Sequence, residues 1–412
     1  MSNSLESKYS YISKKNITRC EESCKRMYKG IELLKTDSKI WNAFALANRA
    51  MFMQRVHLKI QQSDNDIYPG DEKLSTILDT IDYNTAEKLF EDKYSWRPFQ
   101  LAFLLMSVES VTDDKSLERE LTDLIWFPTG GGKTEAYLGL TAMTIFYRRL
   151  AYPNNSDGTT VIMRYTLRLL AAQQFTRAST LICACEYIRD DSMSRKPRYK
   201  SYPLGDTSIT IGLWIGGEHT PNRNDDAKKL LDELIKAKAS DLNYRLDKNN
   251  KFQVLKCPWC GTKMIKGLFN NKLKGSFGYV MRQKKHFELH CTQQACPFSS
   301  DIFGKLPIQI VDEEIYSNPP TLLFGTVDKF AMMTWKKEVG AFFGVDTDNR
   351  PPELIIQDEL HLISGPLGTM VGLYEAAIEK ICSSRGSKPK IVASTATIRR
   401  CKIKCNAYGR TT

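Results

Sequence analysis

The sequence lacks a long apolar segment. Its longest unbroken apolar run, residues 101–106, is far shorter than the roughly 20 residues that a membrane-spanning helix needs. The first eight residues contain no apolar signal core, so we expect neither membrane insertion nor secretion, and a cytosolic location. Because disulfide scaffolds belong to secreted proteins, the 11 cysteines of the chain are not expected to form one.

Length and charge set the broad class. With 412 residues the chain exceeds a typical domain of about 150 residues, which predicts two or three structural units. Hydrophobic residues make up 42% and charged residues 26%, values that are ordinary for a globular protein. The formal net charge of +12 favours a polyanionic partner such as nucleic acid, although an excess of lysine also serves solubility.

A glycine-rich segment lies between an apolar run and a helical pattern. Residues 121–127 read as a strand, and residues 135–143 have helical spacing. This order is typical of a phosphate-binding loop, in which backbone N–H groups at a helix N-terminus bind phosphate. The loop residues, called the phosphate loop below, are Thr129, Gly130, Gly131, Gly132, Lys133 and Thr134.

The residue types of the phosphate loop indicate their chemistry. Lys133 is expected to bind the β- and γ-phosphates of a nucleotide, and Thr134 to ligate Mg²⁺. Phe127 stands where the strict pattern has its first glycine. An exposed glycine-rich turn with a chance lysine is the alternative.

Two carboxylates follow another apolar run, residues 354–357. We predict that Asp358 holds Mg²⁺ through water, and that Glu359 orients and deprotonates the water that attacks the γ-phosphate. Adjacent carboxylates also occur in ordinary surface turns. The catalytic interpretation is favoured because the pair follows a phosphate loop in an α/β pattern.

Four cysteines have the spacing of a metal site. One pair is separated by two residues and the other by four, and the set is Cys257, Cys260, Cys291 and Cys296. Four thiolates predict a closed, structural Zn²⁺ site, with residues 261–290 forming the short hairpins of a zinc ribbon. His286 and His290 lie nearby in sequence, so the fourth ligand stays open, and reduced cysteines without metal are the alternative.

The same region is strongly basic. Between Lys256 and Cys291 there are eight basic residues and one acid, Glu288. Aromatic residues alternate with these charges, which suits phosphate neutralisation and base stacking: Phe269, Phe277, Tyr279 and Phe287. A solvated lysine-rich face is the competing interpretation.

Periodicity divides the chain into three parts and predicts an α/β fold. Residues 1–95 read as a helical N-terminal module, and residues 96–218 with 307–412 alternate strands and helices, which predicts a parallel sheet with helices on both faces. Residues 219–306 read as an insertion that carries the cysteines. The predicted strands are 121–127, 161–165, 209–215, 322–324, 354–357 and 391–394.

Six segments resemble the motifs of superfamily 2 helicases and translocases of the DExH type, in the order that family uses. They are a Q-like motif at residues 97–100, motif I at 129–134, motif Ia at 166–177, motif Ib at 325–330, motif II at 358–361 and motif III at 394–397. The resemblance implies a RecA-like P-loop NTPase domain that uses ATP and Mg²⁺. It implies that Gln100 contacts adenine, that motifs Ia and Ib contact the nucleic-acid backbone, and that Thr395 belongs to the motif coupling hydrolysis to strand movement. The implied catalytic set is Lys133, Asp358, Glu359 and His361.

Residues 357–368 and 397–400 are also similar to the helicase of the bacterial DISARM anti-phage system and its relatives, which implies defence against foreign DNA. Family members carry a second RecA-like domain with motifs IV to VI, whereas this sequence ends at Thr412, after motif III. We therefore expect the chain alone to bind ATP weakly, to hydrolyse it poorly and not to translocate. A fragment, a disrupted gene and one part of a split protein are all open. The expected partners are nucleic acid, with DNA favoured, and a separate chain with the second domain or other defence subunits.

These patterns favour the first motor domain of an ATP-dependent DNA helicase or translocase. A non-catalytic nucleic-acid-binding or assembly module is the alternative. A small-molecule kinase or transporter ATPase is disfavoured, because neither needs the Q-like, Ia, Ib and III elements in this order.

Overall fold

The computed structural model describes residues 7–62, 66–83, 94–128, 130–166, 168–193, 201–236, 251–265, 267–269, 272–274, 276–283, 285–302, 304–363 and 365–396. Across these ranges, no helix combines the length and the apolar character that crossing a lipid bilayer requires. The described α-helices are α1 (Ser7–Thr36), α2 (Ser38–Gln61), α3 (Glu72–Thr80), α4 (Pro98–Thr112), α5 (Lys133–Ala151), α6 (Arg168–Met193), α7 (Asn224–Lys236), α8 (Asp312–Ser317) and α9 (Gly365–Ser384). The strands are β1 (Thr122–Trp126), β2 (Val161–Tyr165), β3 (Ile211–Trp214), β4 (Gly267–Phe269), β5 (Lys272–Lys274), β6 (Tyr279–Arg282), β7 (His286–Leu289), β8 (Ile308–Gln309), β9 (Leu322–Thr326), β10 (Leu354–Gln357) and β11 (Lys390–Thr395).

A seven-stranded sheet organises the molecule. Its strand order is β1-β11-β10-β2-β9-β3-β8, and every neighbouring pair is parallel. The predicted α/β fold with a parallel sheet is therefore confirmed, and all six predicted strands are present within two residues at either end. The prediction missed β8, because this edge strand has only two residues.

Both faces of the sheet are buried. Along β2, Val161 and Met163 belong to one hydrophobic core, whereas Ile162 belongs to a second one. Successive side chains of a strand point to opposite faces, so the two cores lie on opposite sides of the sheet. The first core contains Phe146 of α5, and the second contains Ile378 of α9. This accounts for the nearly continuous apolar runs of the central strands.

The N-terminal helices pack directly on the helices of the sheet. Helix α2 contacts α5 and α6, and its buried residues include Ala43, Ala47 and Ala50, whose small side chains permit close approach. Helix α1 contacts α4, and a Cβ on Gly30 would lie 2.0 Å from the carbonyl oxygen of Leu105. The helices predicted at the N-terminus thus share the first core with the sheet.

The cysteine-containing segment, residues 251–302, packs against the same helices. Its two antiparallel pairs, β4–β5 and β6–β7, lie where short hairpins are predicted. Gln61 of α2 and Thr180 of α6 both donate to the carbonyl oxygen of Pro258, at 2.6 and 2.8 Å. The segment, α2 and the sheet contribute residues to one hydrophobic core. The division of the chain into three parts remains a prediction from the sequence.

A buried ion pair connects the sheet to α9. Arg164 of β2 and Glu375 of α9 are in contact through Nη1 and Oε1, and their side chains are 1% and 7% exposed. The Arg164 guanidinium also lies over the Phe330 ring, 5.7 Å from its centroid. Removing one partner of such a pair leaves an uncompensated charge in the interior.

We expect Glu375→Ala to lower the free energy of unfolding by about 3–5 kcal/mol, the usual cost of breaking a buried pair from one side. The control is Glu32→Ala, since Glu32 pairs with Lys35 at 2.9 Å on an exposed surface of α1. That change should cost less than about 1 kcal/mol. Urea denaturation followed by circular dichroism measures both, and equal effects would contradict the assignment.

Candidate functional site

The phosphate loop lies between the end of β1 and the start of α5. Gly130 and Gly132 have φ of 76° and 92°, the left-handed region that favours glycine. A Cβ on Gly131 would lie 2.2 Å from the Phe127 ring. Gly130 and Gly132 therefore require glycine because of their backbone conformation, and Gly131 because there is no space for a side chain. Thr129, the first residue of the loop, lies outside the described residues.

The side chains around the loop are held by hydrogen bonds to its carbonyl groups. Lys133 Nζ donates to the carbonyl oxygen of Phe127 at 2.7 Å. Gln100 Nε2 donates to the Gly132 carbonyl at 2.8 Å, and Arg97 Nη1 donates to the Gly131 carbonyl at 2.7 Å. The Q-like segment thus contacts the phosphate loop, and the contact of Gln100 with adenine stays a prediction.

Phe127 has a packing role at the position of the missing glycine. Its ring stacks on Phe99 of the Q-like segment, with centroids 4.2 Å apart and an interplanar angle of 13°. The phenylalanine that stands in place of the usual glycine therefore connects the loop to the N-terminus of α4.

Asp358 and Glu359 follow β10 at the same edge of the sheet. Asp358 is buried; its Oδ2 accepts from the Tyr137 hydroxyl at 3.0 Å and its Oδ1 from the Glu359 N–H at 2.9 Å. Glu359 has φ of 48°, a conformation that a non-glycine residue rarely adopts and that clusters at functional sites. Burial and then the Asp358 charge raise the pKa of Glu359, against the opposing effects of His361 and Lys133.

His361 connects the acidic pair with β11. Its Nδ1 lies 3.1 Å from Glu359 Oε2 and 3.0 Å from Thr395 Oγ1. Motif II is therefore in contact with motif III, although Thr397 at the end of motif III lies outside the described residues.

The phosphate loop and the acidic pair line one cavity of about 640 Å³. Gly130, Gly131, Gly132, Lys133, Thr134, Gln100, Asp358 and Glu359 are all at its wall. Several other wall residues lie outside the predicted motifs, among them Asn48 and Arg55 of α2 together with Tyr94 and Trp96. The only local signal for them was an aromatic pair just before the Q-like segment.

The segments that resemble motifs Ia and Ib make contacts within the protein. Arg177 of α6 pairs with Glu135 of α5 at 3.2 Å. Lys329 is buried, donates to Asp312 Oδ2 at 2.9 Å and lies 5.4 Å from the Trp214 ring centroid. A nucleic-acid contact from residues 325–330 would therefore use groups other than this lysine.

The four predicted metal ligands are together. The Sγ atoms of Cys257, Cys260, Cys291 and Cys296 all lie within 4.8 Å of one another, and all four residues are buried. An ideal tetrahedral Zn²⁺ site with bonds of about 2.3 Å places its sulfurs roughly 3.8 Å apart, so the cluster fits this ion. Zn²⁺ held by four thiolates would have no position left for water, so such a site would be structural rather than catalytic.

The two histidines near the cluster have other partners. His286 Nδ1 lies 2.8 Å from Glu314 Oε1, and His290 Nε2 lies 3.4 Å from Glu288 Oε2. Within the described residues the cluster thus consists of cysteines alone. Of the other described cysteines, Cys183, Cys185 and Cys382 are buried, whereas Cys20 and Cys24 are exposed.

The turn between Cys257 and Cys260 is anchored to α2. Trp259 stacks on His57 with ring centroids 3.4 Å apart, and its carbonyl oxygen lies 2.8 Å from His57 Nδ1. The hydroxyl of Tyr83 lies 2.7 Å from His57 Nε2. Burial lowers the pKa of His57 to about 3, so the ring is neutral and offers one donor and one acceptor.

The prediction that aromatic side chains of the basic region stack on bases is wrong for two residues. Tyr279 and Phe287 are buried, and both pack on Phe252 inside the cysteine-containing segment. Hydrophobic packing, which cannot be inferred from an alternation of charges and rings, takes these side chains into the interior. Lys256 and Lys263 pair with Asp66, so part of the basic excess is also compensated locally.

A parallel sheet with a glycine-rich loop before a helix and an acidic pair two strands away is the arrangement of a RecA-like P-loop NTPase domain, the fold class predicted from the sequence. No family model matches the chain. The chain is similar to the DISARM protein DrmA of Bacillus paralicheniformis, with 34% identity in an alignment 436 positions long that covers 96% of this chain. This similarity confirms the resemblance to the DISARM family. The chain spans 36% of the length of that relative.

Two solved structures show weaker similarity. The helicase Lhr of Mycobacterium smegmatis, bound to ssDNA and AMP-PNP, aligns at 15% identity and a TM-score of 0.40 over 78% of this chain and 25% of its own. The DUF1998 helicase MrfA aligns at 11% identity and a TM-score of 0.38 over 83% of this chain and 32% of its own. Both scores are too low to establish a common overall fold.

We expect the purified chain to contain one equivalent of zinc, and Cys291→Ser to lose it, because a serine hydroxyl is a poor Zn²⁺ ligand. Cys382→Ser is the matched control, since Cys382 is also buried but lies outside the cluster. Inductively coupled plasma mass spectrometry measures the metal content. Zinc-free wild-type protein whose melting temperature does not respond to zinc or to a chelator would rule out the site.

Proposed function

We propose that this chain is the first motor domain of an ATP-dependent DNA helicase or translocase, which binds ATP, Mg²⁺ and nucleic acid and acts in the cytosol against phage DNA. The observation that carries the proposal is that residues 130–134 of the phosphate loop, Gln100, Asp358 and Glu359 all line the same cavity. Similarity to a DISARM protein supports the defence role.

Phosphate binding is the proposed task of the loop. Backbone N–H groups at the start of α5 and the ammonium of Lys133 provide positive charge at one place. Lys133 Nζ already lies inside the loop, 2.7 Å from the Phe127 carbonyl oxygen. Nucleotide binding would replace this carbonyl oxygen with a charged phosphate oxygen as the acceptor. That exchange favours the ligand because charge-assisted hydrogen bonds are the stronger ones.

Water activation is the proposed task of the acidic pair. Thr134 and Asp358 would hold Mg²⁺, which when bound would neutralise charge that develops on the phosphates. Two hydrogen bonds fix the position of the Asp358 carboxyl group. The raised pKa of Glu359 makes this carboxylate a better proton acceptor than an exposed one.

Coupling to nucleic acid is assigned to the contact between His361 and Thr395. The His361 ring links Glu359 to β11, because its Nδ1 is close to both Glu359 Oε2 and Thr395 Oγ1. A movement of the Glu359 carboxylate would therefore be transmitted to Thr395 through this ring. We also propose that efficient hydrolysis needs groups from a second RecA-like domain, within a longer protein or on another chain. The greater length of the DrmA relative supports this part of the proposal.

Lys133→Ala should weaken the binding of a fluorescent ATP analogue with Mg²⁺ at least about tenfold, because it removes the cation of the loop. Glu359→Gln should bind normally and lose any hydrolysis. Lys35→Ala, which removes an exposed lysine of α1, is the control for a general loss of charge. Equal affinity in the wild type and Lys133→Ala would refute the nucleotide site.

Binding of single-stranded DNA should weaken steeply with salt and should also change on addition of ATP and Mg²⁺, since a motor domain couples its two ligands. Fluorescence anisotropy at several salt concentrations, with and without nucleotide, measures both effects. Binding that depends on salt but ignores ATP and Mg²⁺ would instead support the non-catalytic module.

A further inference from the structure

Tyr137 joins the two ends of the proposed site. It lies one turn after Thr134 on α5 and is completely buried. Its hydroxyl oxygen lies 3.2 Å from Thr134 Oγ1, 3.0 Å from Asp358 Oδ2 and 3.3 Å from the Tyr165 hydroxyl. One phenol thus contacts a residue of the phosphate loop and a residue of the acidic pair.

The Tyr137 hydroxyl is in donor geometry toward both Thr134 and Asp358. A phenol has one proton to donate and lone pairs that accept, whereas an ionised carboxylate only accepts. Tyr137 therefore donates to Asp358, which gives a charge-assisted hydrogen bond. Thr134 Oγ1 lies within reach of the same donor, and the contact with the Tyr165 hydroxyl can run in either direction. A tyrosine with its ordinary pKa of about 10 keeps this proton at neutral pH.

This arrangement has a consequence for cation binding. A hydroxyl that ligates a cation must present a lone pair to it and direct its proton elsewhere. The contact with Tyr137 fixes the position of the Thr134 hydroxyl oxygen, which keeps a lone pair for a cation. The same phenol restrains Asp358 Oδ2, so it orders two oxygen ligands at once.

The other tyrosine of α5 shows what a purely structural hydroxyl does. Tyr147 donates to the backbone carbonyl of Thr112 at 2.8 Å, which satisfies its hydroxyl without touching the site. Tyr137 instead contacts two side chains to which the phosphate-loop mechanism gives metal roles. Tyr147 is therefore a control on the same helix.

We propose that Tyr137 is a positioning residue for the Mg²⁺ of the nucleotide site, which fixes the Thr134 hydroxyl oxygen and the Asp358 carboxylate. The inference rests on the proposed function, in which Thr134 and Asp358 are the cation ligands. Outer partners of metal ligands typically contribute about 10–100-fold to metal affinity. Their removal affects the metal and not the phosphate contacts of the loop.

The test is Tyr137→Phe, which removes the hydroxyl and keeps the ring in the core. The affinity for a fluorescent ATP analogue is measured across a Mg²⁺ titration and in EDTA. We expect the Mg²⁺ concentration for half-maximal effect to rise about 10–100-fold, with unchanged affinity in EDTA. Tyr147→Phe should leave both quantities as in the wild type, and melting temperatures verify that the variants fold.

A second variant separates positioning from packing. Tyr165→Phe removes the neighbouring hydroxyl and keeps both contacts of Tyr137 with Thr134 and Asp358, so its Mg²⁺ midpoint should shift by less than about threefold. An unchanged midpoint in Tyr137→Phe would overturn the inference alone, and so would an equal loss of affinity with and without Mg²⁺. A wild-type chain that binds no nucleotide would overturn the proposed function and this inference with it.

Discussion

The parallel order β1-β11-β10 is the constraint on which the candidate site depends. Parallel strands all end at the same edge, so the loop after β1 and the carboxylates after β10 lie about 10 Å apart, two strand spacings, with the end of β11 between them. Side chains of ordinary length close that gap. Tyr137 reaches from α5 to Asp358, and His361 reaches from motif II to Thr395 on the intervening strand.

The surrounding helices support this edge from outside the sheet. Helix α2 packs on α5, whose first residue is Lys133, and contributes Asn48 and Arg55 to the cavity wall. The cysteine-containing segment is in turn fixed to α2 through the stacked pair His57 and Trp259. A metal bound by the four thiolates would therefore stabilise a helix that helps to shape the nucleotide cavity. The N-terminal helices and the cysteine cluster are in this sense part of the same unit as the loop.

The sequence predicts those features that local chemistry determines. The central strands, the phosphate loop and the four cysteines follow from apolar runs, glycine and thiol spacing, and the structure brings each group together. The residues missed or misread are set by tertiary packing. In the sequence Tyr137 is only part of the helical pattern of residues 135–143, and Tyr279 and Phe287, which are predicted to stack on bases, are buried. The bonds of Gln100 to the loop could not be inferred from its motif either, because they depend on how α4 meets the loop.

A structure of the chain with a non-hydrolysable ATP analogue and Mg²⁺ tests the central claim most directly. The account predicts the triphosphate at the start of α5, with Lys133 Nζ moved from the Phe127 carbonyl to a phosphate oxygen and one hydrated Mg²⁺ between Thr134 and Asp358. An analogue bound away from the phosphate loop, or a Mg²⁺ ion without contact to either residue, would contradict it.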